Sequence, residues 1–283
     1  MPALQQSIRP SPLAGLWYPR DAAVLRTMIN DYLSRADITP PSGRIIGLLA
    51  PHAGLQYSGP VAAHAFKLVQ GLRFDTVAII SPFHRPPPQL YSAAAATTAH
   101  DAYETPLGTV PVDHDALEAV NLRFPLARIW HDQEHALEIE LPFLQMVLEP
   151  GFSLLPIMLI DQTAETAVAL GNTLADVLGD RQALLVASSD LSHFFPEEVA
   201  HTLDARTLNA VKSFDPQRVV STGKSLGEGA CGRGAVAAVM EAARRLGANA
   251  AHILHYATSA DTGGDRLQVV GYGAAAFVQQ PTP

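Results

Sequence analysis

Three apolar segments of the sequence end in the same way, with a histidine or an acidic residue just beyond them. His52 follows IIGLLAP and His84 follows TVAIISPF. Asp190 and His193 follow ALLVASS. Histidine and aspartate bind metal ions and transfer protons, and the ordinary histidine pKa lies close to neutral pH. One such histidine belongs more often to an ordinary turn, but three equivalent endings predict a shared site.

The segments that carry these residues have the composition of buried strands. RIIGLLAP at 44–51 and DTVAIISPFH at 75–84 are short apolar runs, and GPVAAHAFKLVQG between them predicts a helix. A strand, a helix and a second strand within about 40 residues are typical of a βαβ unit and a parallel sheet. Because ligands bind at the carboxyl edge of such a sheet, we expect the polar endings to converge there. We interpret Gly54 and Gly59 as parts of the tight turn that exposes His52.

Cys231 is the only cysteine of the chain, which excludes an internal disulfide. It lies in EGACGRGA, a glycine-rich stretch that we expect to open a helix. The positive end of a helix dipole lowers the pKa of a nearby thiol and favours the thiolate, which binds metals and attacks electrophiles. The alternative is that Cys231 is a small buried apolar residue, as lone cysteines often are.

His135 lies in HDQEHALE, whose order differs from the HExxH signature of metalloproteases. It either reaches the site or belongs to a polar helix face where a neighbouring carboxylate satisfies it. Leucines at helical spacing predict that this helix continues through LEIELPFLQMVL. Pro142 predicts a kink or a break within it.

Strand and helix patterns alternate over the rest of the chain. FSLLPIMLI and QALLVASS predict strands, and TAETAVALGNTLADVLG and CGRGAVAAVMEAARRLG predict helices. AHILHYATSA and RLQVVGYGAAAFV predict an antiparallel pair at the sheet edge, joined by DTGGD. No stretch is long enough for a linker. We therefore expect one α/β domain over residues 1–283, with a mixed, mostly parallel central sheet flanked by helices.

The composition excludes several function classes. The net charge is −8, charged residues make up 16% of the chain, and there is no block of like charges, which argues against nucleic acid and anionic membranes as partners. The chain has no apolar run close to the roughly 18 residues of a membrane span. The N-terminal MPALQQSIRPSP lacks the apolar centre of a signal peptide, so we expect a cytoplasmic protein.

Several motifs, taken together and in order, resemble those of the Memo family, whose microbial members are often called AmmeMemoRadiSam system protein B. They are AGLWYP, PHAGLQYSG, SPFH, ETPLGTVPVD, EHALEIELPFLQ, ASSDLSH, ACGRGA and VVGYGAAAF, and the match covers residues 9–278. That family is similar to the class III extradiol dioxygenases, which cleave catechol rings with non-haem Fe(II). The resemblance implies their fold, with a metal site at one edge of the sheet.

The resemblance also implies roles for individual residues. His52 and His84 match the two metal-binding histidines, and Cys231 stands where the dioxygenases have a glutamate ligand. His193 matches the acid/base histidine, whereas Asp190 and His135 resemble groups that line the site. Fe(II) is the implied cofactor. The thiolate is softer than a carboxylate and also suits copper or zinc. The replacement of the glutamate by Cys231 therefore puts dioxygenase turnover in question more than metal binding.

Three functions are compatible with these residues. In a metal-dependent oxidoreductase, His52, His84 and Cys231 hold the metal, and His193 is the general acid/base, oriented by Asp190. In a scaffold that has lost its activity, the same cleft binds a peptide, a protein or a small ligand. In a thiol enzyme, Cys231 is the nucleophile and His193 the base, which requires the two side chains to be within hydrogen-bond reach. A small molecule or a peptide is the expected partner, and the sequence leaves a homo-oligomer open.

Overall fold

The computed structural model describes residues 7–223 and 227–281. The strands are β1 (Ile8–Arg9), β2 (Arg44–Ala50), β3 (Thr76–Pro82), β4 (Ala95–Thr98), β5 (Ala102–Thr105), β6 (Gly108–Pro111), β7 (Ala127–Ile129), β8 (Ser153–Leu159), β9 (Ala183–Ser188), β10 (His193–Phe195), β11 (Ala250–Thr258) and β12 (Val269–Gln279). The helices are α1 (Ala22–Arg35), α2 (Leu55–Phe66), α3 (His114–Asn121), α4 (Leu141–Val147), α5 (Ala164–Leu178), α6 (Glu197–Lys212), α7 (Pro216–Val220) and α8 (Arg233–Arg245).

The large sheet is mixed, with a parallel centre. Its order is β10-β12-β2-β9-β3-β8-β4-β7, and β11 also pairs with β12. The strands β2, β9, β3 and β8 run parallel to one another, whereas β12 and β4 join this centre in antiparallel orientation. The predicted α/β class and the antiparallel pair β11–β12 are confirmed. The small sheet β1-β5-β6 was not predicted from the sequence.

Helices cover the sheet, which explains why the central strands are apolar throughout. Every residue of β3 is buried, as a strand with both faces covered requires. Helix α8 packs across β2, β3 and β9, with α5 beside it, and α2 packs on β2 and β12, with α1 and α4 against it. No helix among the described residues combines the length and the apolar composition that a membrane crossing requires.

Two expectations about local structure are corrected. Gly59 lies inside α2 rather than in the turn after β2, and a Cβ atom there would lie 2.5 Å from the Tyr32 ring of α1. The glycine is therefore needed for helix packing. The predicted long helix around Pro142 is a loop at 131–137, a 3-10 turn at Glu138–Glu140 and the short helix α4, which begins one residue before the proline. Proline is tolerated there because the first turn needs no backbone donor.

The predicted domain extends over all 283 residues, and the described part of the chain forms one α/β unit. Residues 1–6, 224–226 and 282–283, which the predicted domain includes, lie outside the described residues. The central parallel strands carry their carboxyl ends to one edge of the sheet, and this edge positions the candidate site.

Candidate metal centre

The polar endings of the parallel strands meet at one edge of the sheet, as predicted. His52 lies two residues beyond β2, His84 two beyond β3, and Asp190 two beyond β9. The rings of His52 and His84 are 5.2 Å apart between centroids and nearly perpendicular. The shared edge of neighbouring parallel strands thus brings together residues that are far apart in the sequence.

His135 completes a cluster of three imidazoles. Its ring stacks on that of His84 at 4.6 Å and lies 5.3 Å from that of His52. One ring nitrogen from each of these three histidines lies within 4.8 Å of the others, which is close enough for one metal ion. The sequence assigned His135 to the lining of the site, whereas the geometry makes it a candidate ligand.

The hydrogen bonds of His52 determine which ring nitrogen is available for a metal. Its Nδ1 lies 2.8 Å from the hydroxyl oxygen of Ser188, at the end of β9. The Ser188 hydroxyl donates its proton to the carbonyl oxygen of Ala136, so it accepts from His52 Nδ1–H. The lone pair of the neutral ring is then on Nε2. A second group that fixes the tautomer in this way is typical of metal-binding histidines.

Glu134 orients His84 and fixes the loop that carries His135. Its carboxylate accepts from His84 Nδ1 at 2.9 Å and from the His84 backbone N–H at 2.6 Å. It also accepts from the backbone N–H groups of His135 and Ala136, each at 2.9 Å. Burial alone would raise the pKa of Glu134, but the hydrogen bonds and the neighbouring imidazoles lower it to about 2. Glu134 is therefore an anion at neutral pH, and it leaves Nε2 of His84 as the metal-facing nitrogen.

Cys231 lies against the cluster, but its thiol does not have the predicted low pKa. Its Sγ is 3.1 Å from Nε2 of His52, close to the nitrogen that carries the lone pair. Helix α8 begins only at Arg233, and burial raises the pKa of the thiol well above its usual value, with the charge of Asp190 adding to the effect. The expectation of a thiolate stabilised by the helix dipole is therefore wrong for the metal-free chain.

The glycine after Cys231 explains how the thiol reaches this position. A Cβ atom at Gly232 would lie 2.6 Å from the carbonyl oxygen of Ser188 and 2.9 Å from Cβ of Ser189. The backbone N–H of Gly232 donates to the Ser189 hydroxyl at 2.8 Å. The ACG segment packs directly on the end of β9 because glycine has no side chain. This contact brings Cys231 to the edge of the sheet where His52 lies.

Asp190 supports His52 rather than His193. Its Oδ1 accepts from the backbone N–H of His52 at 2.8 Å. Burial raises the pKa of Asp190 to about 7, in spite of this hydrogen bond and the nearby His84 ring. The described residues show no hydrogen bond between the Asp190 carboxyl and His193, so the predicted orienting contact is absent from that part of the chain.

His193 lies in β10, near the cluster but outside the group of three. Burial and the neighbouring His84 lower its pKa to about 4, so its ring is neutral at pH 7. Phe194, which follows it, has a φ of 64°, a strained value for a bulky residue. No hydrogen bond joins Cys231 and His193 in the described residues, whereas the thiol contacts His52. The geometry therefore gives no support to the thiol-enzyme hypothesis.

A cavity of about 1130 Å³ lies beside the cluster. His84 and His135 both line it, so two of the three clustered imidazoles face this cavity. The ring of Trp17 stacks on His135 at 4.2 Å and forms part of the wall. The other lining residues include Phe83, Arg85, Pro87, His100, Trp130 and Gln133. Its size is sufficient for a small organic ligand.

The chemistry of the donor set suits a transition-metal ion. Two imidazoles offer Nε2 lone pairs, a third lies beside them, and a thiol lies against the first. Imidazole and thiolate ligands select iron, copper or zinc over the harder magnesium and calcium. The residues present therefore fit the kind of metal that the sequence predicts.

Sequence reasoning missed the groups that support the ligands. Glu134 was visible as the neighbour of His135, but nothing in the spacing indicated its bonds to His84. In the sequence, Ser188 only lies at the end of a predicted strand, and Trp17 is only part of an N-terminal motif, so neither indicated a contact with the histidines. The adjacency of Glu134 and His135 was the one usable signal, because buried carboxylates often accept from ligand histidines.

Comparisons with known proteins agree with the motif assignment. The family model described as Memo-like protein matches residues 9–276. A MEMO1 family protein of Nitrosopumilus maritimus is 35% identical over 96% of this chain and 100% of its own length. A MEMO1 family protein of Methanothermobacter thermautotrophicus is 36% identical over 94% of this chain and 98% of its own. A solved structure of an uncharacterised Escherichia coli K12 protein covers 83% of this chain and aligns with 100% of its own, with 12% identity and a TM-score of 0.49. The chain belongs to the Memo-like family.

Proposed function

We propose that this protein is a metal-dependent oxidoreductase that acts on a small molecule bound in the cavity beside its histidine cluster. One observation carries the proposal: ring nitrogens of His52, His84 and His135 lie within 4.8 Å of one another. The hydrogen bonds of His52 and His84 engage their Nδ1 atoms, so the Nε2 lone pairs are the candidate donors, and that of His52 is in contact with the Cys231 thiol. Three converging imidazoles beside an open cavity are typical of a metal site with room for a substrate.

Each supporting group has a defined part in this proposal. His52, His84 and Cys231 are the ligands that the family resemblance implies, and His135 is the further candidate ligand. A bound Fe(II) ion supplies redox chemistry and polarises coordinated oxygen atoms, copper supplies redox chemistry of a similar kind, and zinc supplies polarisation alone. The proposal favours Fe(II), with copper or zinc as alternatives.

His193 is the proposed acid/base group. Burial lowers its pKa to about 4, so its ring is unprotonated at pH 7, which is the form that a general base requires. Asp190, with a pKa raised to about 7, retains a proton in part of the molecules at neutral pH and holds the backbone of His52. In this proposal His193 provides a proton acceptor and Asp190 an exchangeable proton near the cluster.

The test begins with metal analysis of protein prepared without oxygen. The chain is loaded separately with Fe(II), copper and zinc, and oxygen uptake is measured against a panel of dihydroxylated aromatic compounds. We expect about one equivalent of metal in the wild type and much less in His84→Ala. His114→Ala is the matched control, since His114 is an exposed residue at the start of α3. Wild-type metal content in His84→Ala would contradict the proposed site.

A second candidate is a binding module that holds the metal and a ligand without turnover. Cys231 favours it, because the family resemblance implies that this thiol stands where the dioxygenases have a carboxylate ligand, and the thiol lies 3.1 Å from Nε2 of His52. The open cavity, with Trp130 exposed in its wall, is also accessible to a peptide. Stoichiometric Fe(II) binding without oxygen uptake, together with ligand binding that His52→Ala abolishes, would favour this candidate over the oxidoreductase.

A further inference from the structure

We propose that Arg9 is a positioning residue of the metal centre, which sets the geometry of His84 and His135 through Glu134. The proposal rests on the proposed metal site and adds to it a residue from the first strand of the chain. Arg9 lies in β1 and is 2% exposed. A buried guanidinium far from the ligands in sequence needs an explanation, because burying its charge is unfavourable unless its partners compensate.

The partners of Arg9 form the loop that carries Glu134. Its Nε and Nη2 donate to the two carboxylate oxygens of Asp132, at 2.9 and 2.6 Å. Its Nη1 donates to Glu138, and its Nη2 also donates to the backbone carbonyl of Glu134 at 3.1 Å. One guanidinium thereby connects Asp132 and Glu134, within the loop, to Glu138, which follows the loop. Only arginine has the planar, forked set of donors that such an arrangement requires.

The pair of Arg9 and Asp132 holds both backbone polar groups of Glu134. Arg9 donates to its carbonyl oxygen, and Asp132 Oδ1 accepts from its N–H at 3.2 Å. The main chain of Glu134 is therefore fixed on both sides. Because the main chain is fixed, the position from which the Glu134 side chain extends towards the histidines is also fixed.

The carboxylate of the fixed Glu134 in turn holds His84 and His135 by hydrogen bonds. It accepts from Nδ1 and from the backbone N–H of His84, at 2.9 and 2.6 Å, and from the backbone N–H of His135 at 2.9 Å. A displacement of the Glu134 main chain changes these contacts together. Arg9 is thus connected to His84 and to His135 by direct hydrogen bonds through one intervening residue, Glu134.

The same N-terminal segment contacts the cluster a second time. The other oxygen of Glu138 accepts from the hydroxyl groups of Ser11 and Tyr18, each at 2.6 Å. Trp17, beside Tyr18, stacks on the His135 ring at 4.2 Å. Residues 9–18 therefore act as part of the site.

The test compares Arg9→Lys with the wild type by two readouts. The first is the imidazole ¹H–¹⁵N NMR signals of His84 and His135 in the metal-free protein. The second is Co²⁺ titration, in which visible absorption reports the ligand geometry. We expect shifted His84 signals and a metal affinity lowered by about 10- to 100-fold, the usual effect of losing a group that orients a ligand. Urea denaturation establishes that the variant is folded.

Arg181→Lys is the matched control. Arg181 pairs with Asp113 at 2.9 Å, and Asp113 also accepts from Thr76 at the amino end of β3, at the other end of this strand from His84. A purely structural arginine of this kind should shift the urea midpoint and leave the His84 signals and the Co²⁺ affinity unchanged. The same pattern in Arg9→Lys would overturn the proposal.

Two further outcomes separate this proposal from the proposed function. If the wild type binds no metal, the proposed function fails, whereas the NMR comparison in metal-free protein still tests Arg9. If Arg9→Lys does not fold, Asp132→Asn takes its place, because it alters the acceptor that Arg9 and the Glu134 N–H share. Wild-type His84 signals in a folded Asp132→Asn variant would overturn the positioning role.

Discussion

Two carboxyl groups support the histidine cluster, and their protonation differs although both are buried. Glu134 accepts four hydrogen bonds, from the ring and the backbone of His84 and from the backbone N–H groups of His135 and Ala136. These contacts and the nearby imidazoles lower its pKa to about 2 against the effect of burial. Asp190 accepts from the backbone of His52, and burial raises its pKa to about 7.

The difference teaches that hydrogen-bond donors and neighbouring imidazoles together can outweigh burial at Glu134, whereas burial prevails at Asp190. A carboxylate with several N–H donors stays ionised in a low-dielectric site, whereas one with fewer donors retains its proton. Glu134 therefore stays negatively charged at neutral pH while it holds His84 and His135. The region around Asp190 and Cys231 is neutral or titrates near pH 7, since burial also raises the pKa of the thiol. The experiments below separate the two regions.

The largest effect is expected for Glu134→Ala. The variant leaves the part-buried backbone N–H groups of His84 and His135, and the buried one of Ala136, without their acceptor. A buried donor without its acceptor costs about 1–3 kcal/mol and a part-buried one less, so we expect the free energy of unfolding to fall by about 3 kcal/mol. Metal affinity should fall by about 10- to 100-fold. Urea denaturation and metal titration measure the two effects, and wild-type values for both would contradict the account.

Asp190→Asn should change the pH dependence of stability. The folded-state pKa of Asp190 is raised from 3.8 to about 7, so the native state binds the extra proton between these values and wild-type stability falls as the pH rises from about 4 to 7. The contribution is at most about 4 kcal/mol, at roughly 1.4 kcal/mol per pKa unit. The variant cannot titrate there, so this decline should be reduced in urea denaturation at pH 4.5, 6 and 8.

Glu134→Gln is the control for this pH experiment, because its carboxyl group has the opposite shift. The folded-state pKa is lowered from 4.5 to about 2, so the stability that Glu134 contributes is present above pH 4.5 and is lost as the pH falls towards 2. The glutamine variant should lose this acid-side dependence and keep the decline between pH 4 and 7. The same pH profile in both variants would show that the two carboxyl groups do not differ as described.

Cys231→Ala tests the protonation of the region around Asp190. Burial raises the pKa of the thiol, so a metal that binds the sulfur must displace a proton. We expect the wild type to release about one more proton than the variant on binding Zn²⁺ at pH 7. Calorimetric titration in buffers of different ionisation enthalpy measures this number. Equal proton release would mean that Cys231 is not a ligand.

The smallest effect is expected for Tyr18→Phe. Its hydroxyl is one of several donors to Glu138, beside Arg9 and Ser11, so the carboxylate keeps other partners. We expect the free energy of unfolding to fall by about 1 kcal/mol, the usual contribution of one hydrogen bond. The pH dependence assigned to Asp190 should be unchanged. A loss as large as that of Glu134→Ala would show that the network depends on this tyrosine.

The positions of two candidate ligands could be predicted because the strands that carry them follow simple rules. Strands with both faces covered are continuous apolar runs, and parallel strands present their ends at one edge. His52 and His84 were found in this way, and the structure brings their rings to 5.2 Å. The glycine-rich stretch indicated Cys231, the family resemblance implied its place among the ligands, and its thiol lies against His52.

The supporting groups could not be predicted, because their contacts are long-range. Arg9 meets Asp132 across 123 positions of the chain, and its strand has only two residues. Glu134 lies in a loop without periodicity, where spacing carries no information about partners. The error about the Cys231 thiol has the same origin. A local dipole argument was applied to a group whose pKa is determined by burial in the folded chain.

X-ray absorption spectroscopy of protein loaded with one equivalent of Zn²⁺ tests the central claim most directly. The claim is that one metal ion is held by the imidazoles that converge beside the cavity. We predict a spectrum with multiple scattering from histidine rings in the wild type, and loss of both the bound metal and this signal in His52→Ala. Metal bound with the same spectrum in the wild type and in His52→Ala would contradict the account.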